Sequence, residues 1–484
     1  MRRTVLAAAL VLVPVALLAT DHFIIVGGGP KPSSSEAQIE YNVKWVIAAL
    51  REIVPQSVVS VWFGEGATSE RGAVELLSRH AEPQPPLDAL ASLYGEADAN
   101  RLTYRPHRVE DVLGTTERDS LIPALQRYLR ALRPGDQAMI VYNGHGGWDQ
   151  DRAENTLRLW DETTLNVRDF ERLLAQVSPA VPVRFILTQC YAGSFARAVS
   201  PDAALTLELA KGQRCGFLAE SADRQSEGCS ASIDLGDYRD YTTYFFSGLT
   251  GKDRLGRPVA GATDRDGDGR VSPYDAHLYT LLEGYNGDLP RSTSEDWLER
   301  WQPWESRWVG TGRLPENIYG VLAREMARRA GLPEDGAALG AALAAAYRSL
   351  TRANTAALRA SDSLEQAAEE TRERIREPIE RRWPELGAPH TAGYRELLAR
   401  GTDAVEDAIG ADPRFAELLR LQDARAALEP GLVDLDRRIS QLDKVRRTRM
   451  LARALDQLER RGKAVHQEAY RRLRVCEALP LHGN

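Results

Sequence analysis

A histidine and a cysteine stand where two buried strands should end. The run Ala138-Met139-Ile140-Val141-Tyr142 gives way to Asn143-Gly144-His145-Gly146-Gly147. The run Val183-Arg184-Phe185-Ile186-Leu187 gives way to Thr188-Gln189-Cys190-Tyr191-Ala192-Gly193-Ser194. A thiolate is a strong nucleophile, and a nearby imidazole can take its proton and later protonate a leaving amine. The glycines flanking His145 let a substrate come close to the backbone. The N–H groups of Gly146 and Cys190 are candidate oxyanion donors, a role that can lower an acyl-transfer barrier by about 3 kcal/mol. Positions 145 and 190 leave room for one strand–helix crossover, so the two strands can be neighbours and both side chains can face one crevice. Either residue alone would be an ordinary packed cysteine or a turn histidine; the pair points to a catalytic dyad.

A second constellation carries different chemistry. Asp264-Arg265-Asp266-Gly267-Asp268-Gly269-Arg270-Val271-Ser272-Pro273-Tyr274-Asp275 follows the EF-hand loop. Side-chain oxygens come from Asp264, Asp266 and Asp268, a sharp turn from Gly269, a carbonyl from Arg270, and further oxygens from Ser272 and Asp275. Asp275 stands where glutamate is usual and reaches less far. The expectation is a structural Ca²⁺ site, since acyl transfer by a thiol needs no metal.

Short apolar runs alternating with amphipathic stretches over residues 21–315 predict an α/β fold: a mostly parallel sheet covered by helices on both faces. Strands are expected near 23–26, 58–63, 138–142 and 183–187. Ser33, Ser34 and Ser35 offer N-caps for a helix running to about residue 53, with Glu36 in its first turn. A second helix is expected over 119–132, and 64–116 is loop-rich. Ligands in such folds bind beyond the carboxyl ends of the strands, where His145 and Cys190 fall. Residues 316–484 lose the strand signals and become rich in Ala, Leu, Arg and Glu, which predicts an all-α region with helical patterns at 336–360, 362–382, 392–408, 413–428 and 430–475, interrupted by Pro378, Pro384 and Pro389. Trp297, Trp301, Trp304 and Trp308 mark the expected seam between the two parts.

An apolar block followed by His-Gly, and a second followed by a polar residue and Cys, resembles the signature of caspases, metacaspases, legumains and gingipains. Gln189-Cys190 is similar to the caspase pattern; Cys190-Tyr191-Ala192-Gly193-Ser194 is more similar to legumain and metacaspase. The resemblance covers about residues 22–285 and implies a caspase-like, legumain-type cysteine endopeptidase acting on peptides or proteins, with Cys190 as nucleophile and His145 as acid/base. In that family the strand after the catalytic cysteine leads into the specificity pocket, which makes Ser221 and Asp223 candidate substrate contacts. No residue matches the family's pocket unambiguously. Asn143 is the one candidate for orienting His145.

Arg2 and Arg3 precede an apolar run over 4–19. Residues 1–20 are therefore an export signal or an uncleaved anchor, with the rest periplasmic or otherwise extracytoplasmic. In an oxidising compartment, Cys215 and Cys229 are expected to close a short loop. The net charge of −7, with no basic run among aromatics, leaves no footprint for nucleic acid. The same dyad would also serve a transpeptidase. A non-enzymatic, calcium-stabilised adaptor or pseudopeptidase, with the helical region binding a protein partner, is the third alternative.

Overall fold

The computed structural model describes residues 19–67, 76–79, 89–95, 102–261, 263–302, 312–388 and 391–482. The apolar N-terminal run, Trp304, Trp308 and Pro389 lie outside the described residues, apart from Ala19 and Thr20. Seven strands form one sheet: β1 (Asp21–Gly27), β2 (Val58–Phe63), β3 (Val112–Gly114), β4 (Gln137–Asn143), β5 (Val183–Leu187), β6 (Arg214–Leu218) and β7 (Arg291–Ser292). Their order is β7-β6-β5-β4-β1-β2-β3, and every pairing is parallel except β6 with β7. All residues of β4 and β5 are buried, which is why their sequences are unbroken apolar runs rather than alternating ones.

β1 lies between β2 and β4, so the chain winds first to one side of it and later to the other. That makes a topological switch point, where the loops beyond β1 and β4 part and leave a crevice. β5 lies on the far side of β4, with Tyr142 opposite Leu187. His145 and Cys190 each stand three residues past that pair.

Around the sheet lie helices Ala37–Ile53, Arg118–Ala131, Val167–Leu174, Tyr241–Thr250 and Pro273–Glu283. The first begins one residue later than its serines suggested. Glu36 occupies the cap position, and its side chain makes no capping bond. The C-terminal region holds two long helices, Gly336–Arg382 and Phe415–Arg461. Pro378 and Pro430 sit inside them, so Pro378 does not break the series. A helical proline costs about 3 kcal/mol; packing of Ile375 and Ile379 into a second buried cluster with Val405, Ile409 and Leu418 opposes that cost near Pro378. Among the described residues no helix is long and apolar enough to cross a membrane.

The helices after residue 316 share the core of the sheet. One buried cluster runs from Phe23 and Ile140 to Leu339, Leu455 and Leu473. Trp297 packs near Tyr470, and the indole of Trp301 donates to His466 Nδ1 at 2.9 Å, so the helices Thr293–Trp301 and Ala464–Glu477 meet there. The expected Cys215–Cys229 bond is not formed. Cys215 is bonded to Cys476, with Cα atoms 5.9 Å apart, and Cys229 is free. Cys215 lies near the start of β6, whereas Cys229 follows in the loop beyond that strand's carboxyl end, so closeness in sequence does not bring them together.

Candidate active site

His145 is held from below and from the side. The Tyr142 hydroxyl donates to the His145 carbonyl at 2.9 Å, and the same carbonyl accepts from Arg158 N at 2.9 Å. Its imidazole spans two partners: Nε2 lies 2.9 Å from Glu36 Oε2, and Nδ1 lies 3.6 Å from Cys229 Sγ. Glu36 arrives from the loop after β1, across the switch point. It, and not Asn143, orients the imidazole. Asn143 is buried beneath the site, where its Oδ1 accepts from Thr188 at 3.2 Å and Thr242 at 2.9 Å, tying the end of β4 to its neighbours.

Cys190 is half-buried at the end of β5. Tyr191 follows it in the left-handed region (φ 61°), a conformation uncommon for a residue with a side chain. The turn is held by Tyr191 N donating to Arg224 O at 2.8 Å. A Cβ at Gly146 would stand 2.0 Å from the Cys190 carbonyl oxygen; only glycine lets the histidine loop lie directly on the cysteine loop. Among the described residues nothing accepts a hydrogen bond from the Cys190 N–H.

A cavity of about 1210 Å³ lies over these loops, and both His145 and Cys190 line it. No hydrogen bond joins them. The segment 225–230 lies against both: Ser226 contacts the Cys190 sulfur through its carbonyl at 4.0 Å and its hydroxyl at 3.8 Å, while Cys229 meets His145. Cys229 is exposed as a residue, but its sulfur lies against the imidazole. Desolvation there, then the Glu36 carboxylate and Cys190, push its thiol well above the ordinary range. Glu227 pins the segment by pairing with Arg437 at 2.8 Å and accepting from Gly287 N at 2.7 Å. Gly228 turns it with φ 136°, open to glycine. Arg437 belongs to the long helix Phe415–Arg461, and Leu358 of the helix Gly336–Arg382 also lines the cavity. The helical region therefore supplies one wall.

Ser221 and Asp223 do not line the cavity. They bond to each other at 2.9 Å, and the wall is built by the residues just after them. Glu36, expected only as an acid in the first turn of a helix, and Cys229, expected in a disulfide, are the two residues that contact the imidazole. The usable signal for Glu36 was its place after Gly27-Gly28-Gly29, in the loop that the switch point turns toward His145.

In the acidic loop, Asp264, Asp266 and Asp268 bring carboxylate oxygens within 4.8 Å of one another. Asp266 is raised by burial and by the charges of Asp275 and Asp268, a repulsion that a bound cation would relieve. Asp275 does not join that group. Its oxygens accept from Arg265 N at 2.8 Å and from the Ser272 hydroxyl at 2.6 Å, and it forms a capping box with Ser272 at the start of Pro273–Glu283.

No family model and no curated protein matches the sequence. The chain is similar to the crystal structure of protein GSU0716 from Geobacter sulfurreducens, at 13% identity over 56% of this chain and 92% of that one, with a TM-score of 0.33; a likeness of that size carries no argument.

Proposed function

We propose that the chain is an exported cysteine endopeptidase of the caspase-like, legumain type. One observation carries the reading: Cys190 and His145 each follow the last pair of two adjacent parallel strands by three residues and line one cavity. In this reading His145 Nδ1 takes the Cys190 proton, and the thiolate attacks a peptide carbonyl. The N–H groups of Gly146 and Cys190 receive the oxyanion. His145 then protonates the leaving amine, and water hydrolyses the thioester. Glu36 holds the imidazole tautomer through Nε2. Substrate entry requires the segment 225–230 to move, because Ser226 and Cys229 occupy the two reacting groups. The Cys215–Cys476 bond is in keeping with an oxidising compartment. Ca²⁺ on Asp264, Asp266 and Asp268 belongs to the same proposal as a stabilising ion, with oxygen donors that suit it. Peptide or protein substrates are the expected partners.

The contact of His145 with Cys229 rather than Cys190 favours a second reading, a pseudopeptidase that keeps the residues without turnover. A peptide-library assay separates the two. Hydrolysis by the wild type, lost in Cys190→Ala while the fold persists by circular dichroism, supports the peptidase. Equal turnover in Cys190→Ala would remove Cys190 from the chemistry, and no turnover by either protein would favour the second reading.

A further inference from the structure

We propose that Glu36, His145 and Cys229 form a Zn²⁺ site in the cleft, with His145 Nδ1 and Cys229 Sγ as ligands and Glu36 beside them. One donor atom from each of the three residues lies within 4.8 Å of the other two. Nitrogen, sulfur and carboxylate oxygen are the donors zinc takes. Bonds of about 2.0 Å to nitrogen and 2.3 Å to sulfur in a tetrahedron set the two ligand atoms about 3.5 Å apart; Nδ1 and Sγ stand 3.6 Å apart.

The orientation is already made. Glu36 Oε2 at 2.9 Å from Nε2 takes that nitrogen's proton as a hydrogen bond, which turns the Nδ1 lone pair toward Cys229. A carboxylate behind a ligating imidazole is the usual support for zinc. Cys229 is a free thiol, placed against His145 by two backbone bonds just after it: Ser230 O accepts from Gln38 N at 2.9 Å, and Ala231 O accepts from Arg79 N at 2.8 Å. On binding, the Cys229 S–H bond breaks and its proton goes to solvent, and an S–Zn bond and an Nδ1–Zn bond replace two zinc–water bonds. One thiolate and one carboxylate then balance the two charges of the ion. The remaining coordination positions open to the cavity. The Asp264–Asp266–Asp268 group offers only oxygens and suits a hard cation instead.

The consequence for activity rests on the peptidase reading: zinc on Nδ1 occupies the lone pair that would take the Cys190 proton, so the ion holds the enzyme inactive. Binding itself does not depend on that reading. The test uses the full chain carrying Asp264→Asn and Asp268→Asn, so that the acidic loop does not compete. Titration with Co²⁺ should give a thiolate-to-metal absorption band, displaced by Zn²⁺, in this protein and in its Cys190→Ala form. Cys229→Ser should lose the band and bind at least tenfold more weakly. Without any change at the site, Zn²⁺ should slow alkylation of Cys229 at least tenfold. A band that survives Cys229→Ser, or alkylation indifferent to Zn²⁺, overturns the site. If the metal-free chain hydrolyses no peptide while the Co²⁺ band is intact, the site stands and the peptidase reading fails. If it does hydrolyse peptides, Zn²⁺ should inhibit it, and at least tenfold more zinc should be needed in Cys229→Ser.

Discussion

Glu36 acts on the proposed chemistry only through His145, which makes it a positioning residue with a distinct signature. Glu36→Gln keeps a hydrogen-bonding side chain of the same length but removes the charge that supports an imidazolium. Acid–base assistance is worth about 10²–10⁴ in rate, so kcat should fall by about 10²-fold while KM stays within a factor of about three. Glu36→Asp, which keeps the charge, should recover part of the rate. A pure structural role would lower the active fraction and leave kcat per active site unchanged, and steady-state kinetics normalised by thiol-directed active-site labelling distinguishes the two. The positions of the proposed dyad residues were legible in the sequence, because strand burial and strand ends leave strong local marks. Glu36 and Cys229 were not, because their roles come from the switch point and from the return of the 225–230 segment, neither of which is a local property.

At the scale of elements, the acidic loop and the helix it feeds form one unit. Asp275 closes a capping box on Pro273–Glu283 and holds the loop backbone at Arg265 and Asp266. The loop is therefore shaped before any ion arrives, and three carboxylates are left facing one another. The pattern assigns all six positions one role; the structure divides them, since oxygens of Asp264, Asp266 and Asp268 converge while those of Asp275 accept from Arg265 N, Asp266 N and the Ser272 hydroxyl. Binding to the native state alone raises stability by mass action, about 2.7 kcal/mol at a hundredfold excess over Kd. Millimolar Ca²⁺ should raise the wild-type Tm by several degrees, and the Asp264→Asn, Asp268→Asn double variant should show no rise. Calorimetric melting with and without Ca²⁺ checks this. An unchanged wild-type curve would make the loop a turn and nothing more. The long helices teach the same lesson in reverse. Pro378 and Pro430 are local signals for a break; beside Pro378 the buried Ile375 and Ile379 override the signal, and at Pro430 the helix continues through a largely exposed stretch.

Over the whole molecule, the helical region is tied to the sheet by the Cys215–Cys476 bond and by buried charge. Glu477 accepts from Ser294 N at 2.7 Å and from the Thr293 hydroxyl at 2.9 Å. Glu295, wholly buried, caps the same helix at Ser292 and meets Arg447 of Phe415–Arg461 at 2.9 Å and His277 Nε2 at 3.2 Å. Burial alone would raise the Glu295 carboxyl, but the charges of His277 and Arg447 outweigh it and bring it down to about 2. A group whose folded value lies below its unfolded value adds stability above the unfolded value. That stability is lost as pH falls through the folded one. From an ordinary value of 4.5 to about 2, the difference is worth about 3 kcal/mol. It should be fully present at pH 6 and decline steadily below about pH 4.5. Urea denaturation of the wild type should therefore show a falling midpoint through this window. Glu295→Gln should start lower at pH 6, because Arg447 loses a buried partner, and its midpoint should fall less steeply between pH 4.5 and 2. Other carboxylates titrate in the same range, so the quantity to read is the difference between the two proteins. Parallel curves would mean that Glu295 carries no linkage. Converging curves would place the acid sensitivity of the joint between sheet and helices at this one carboxylate.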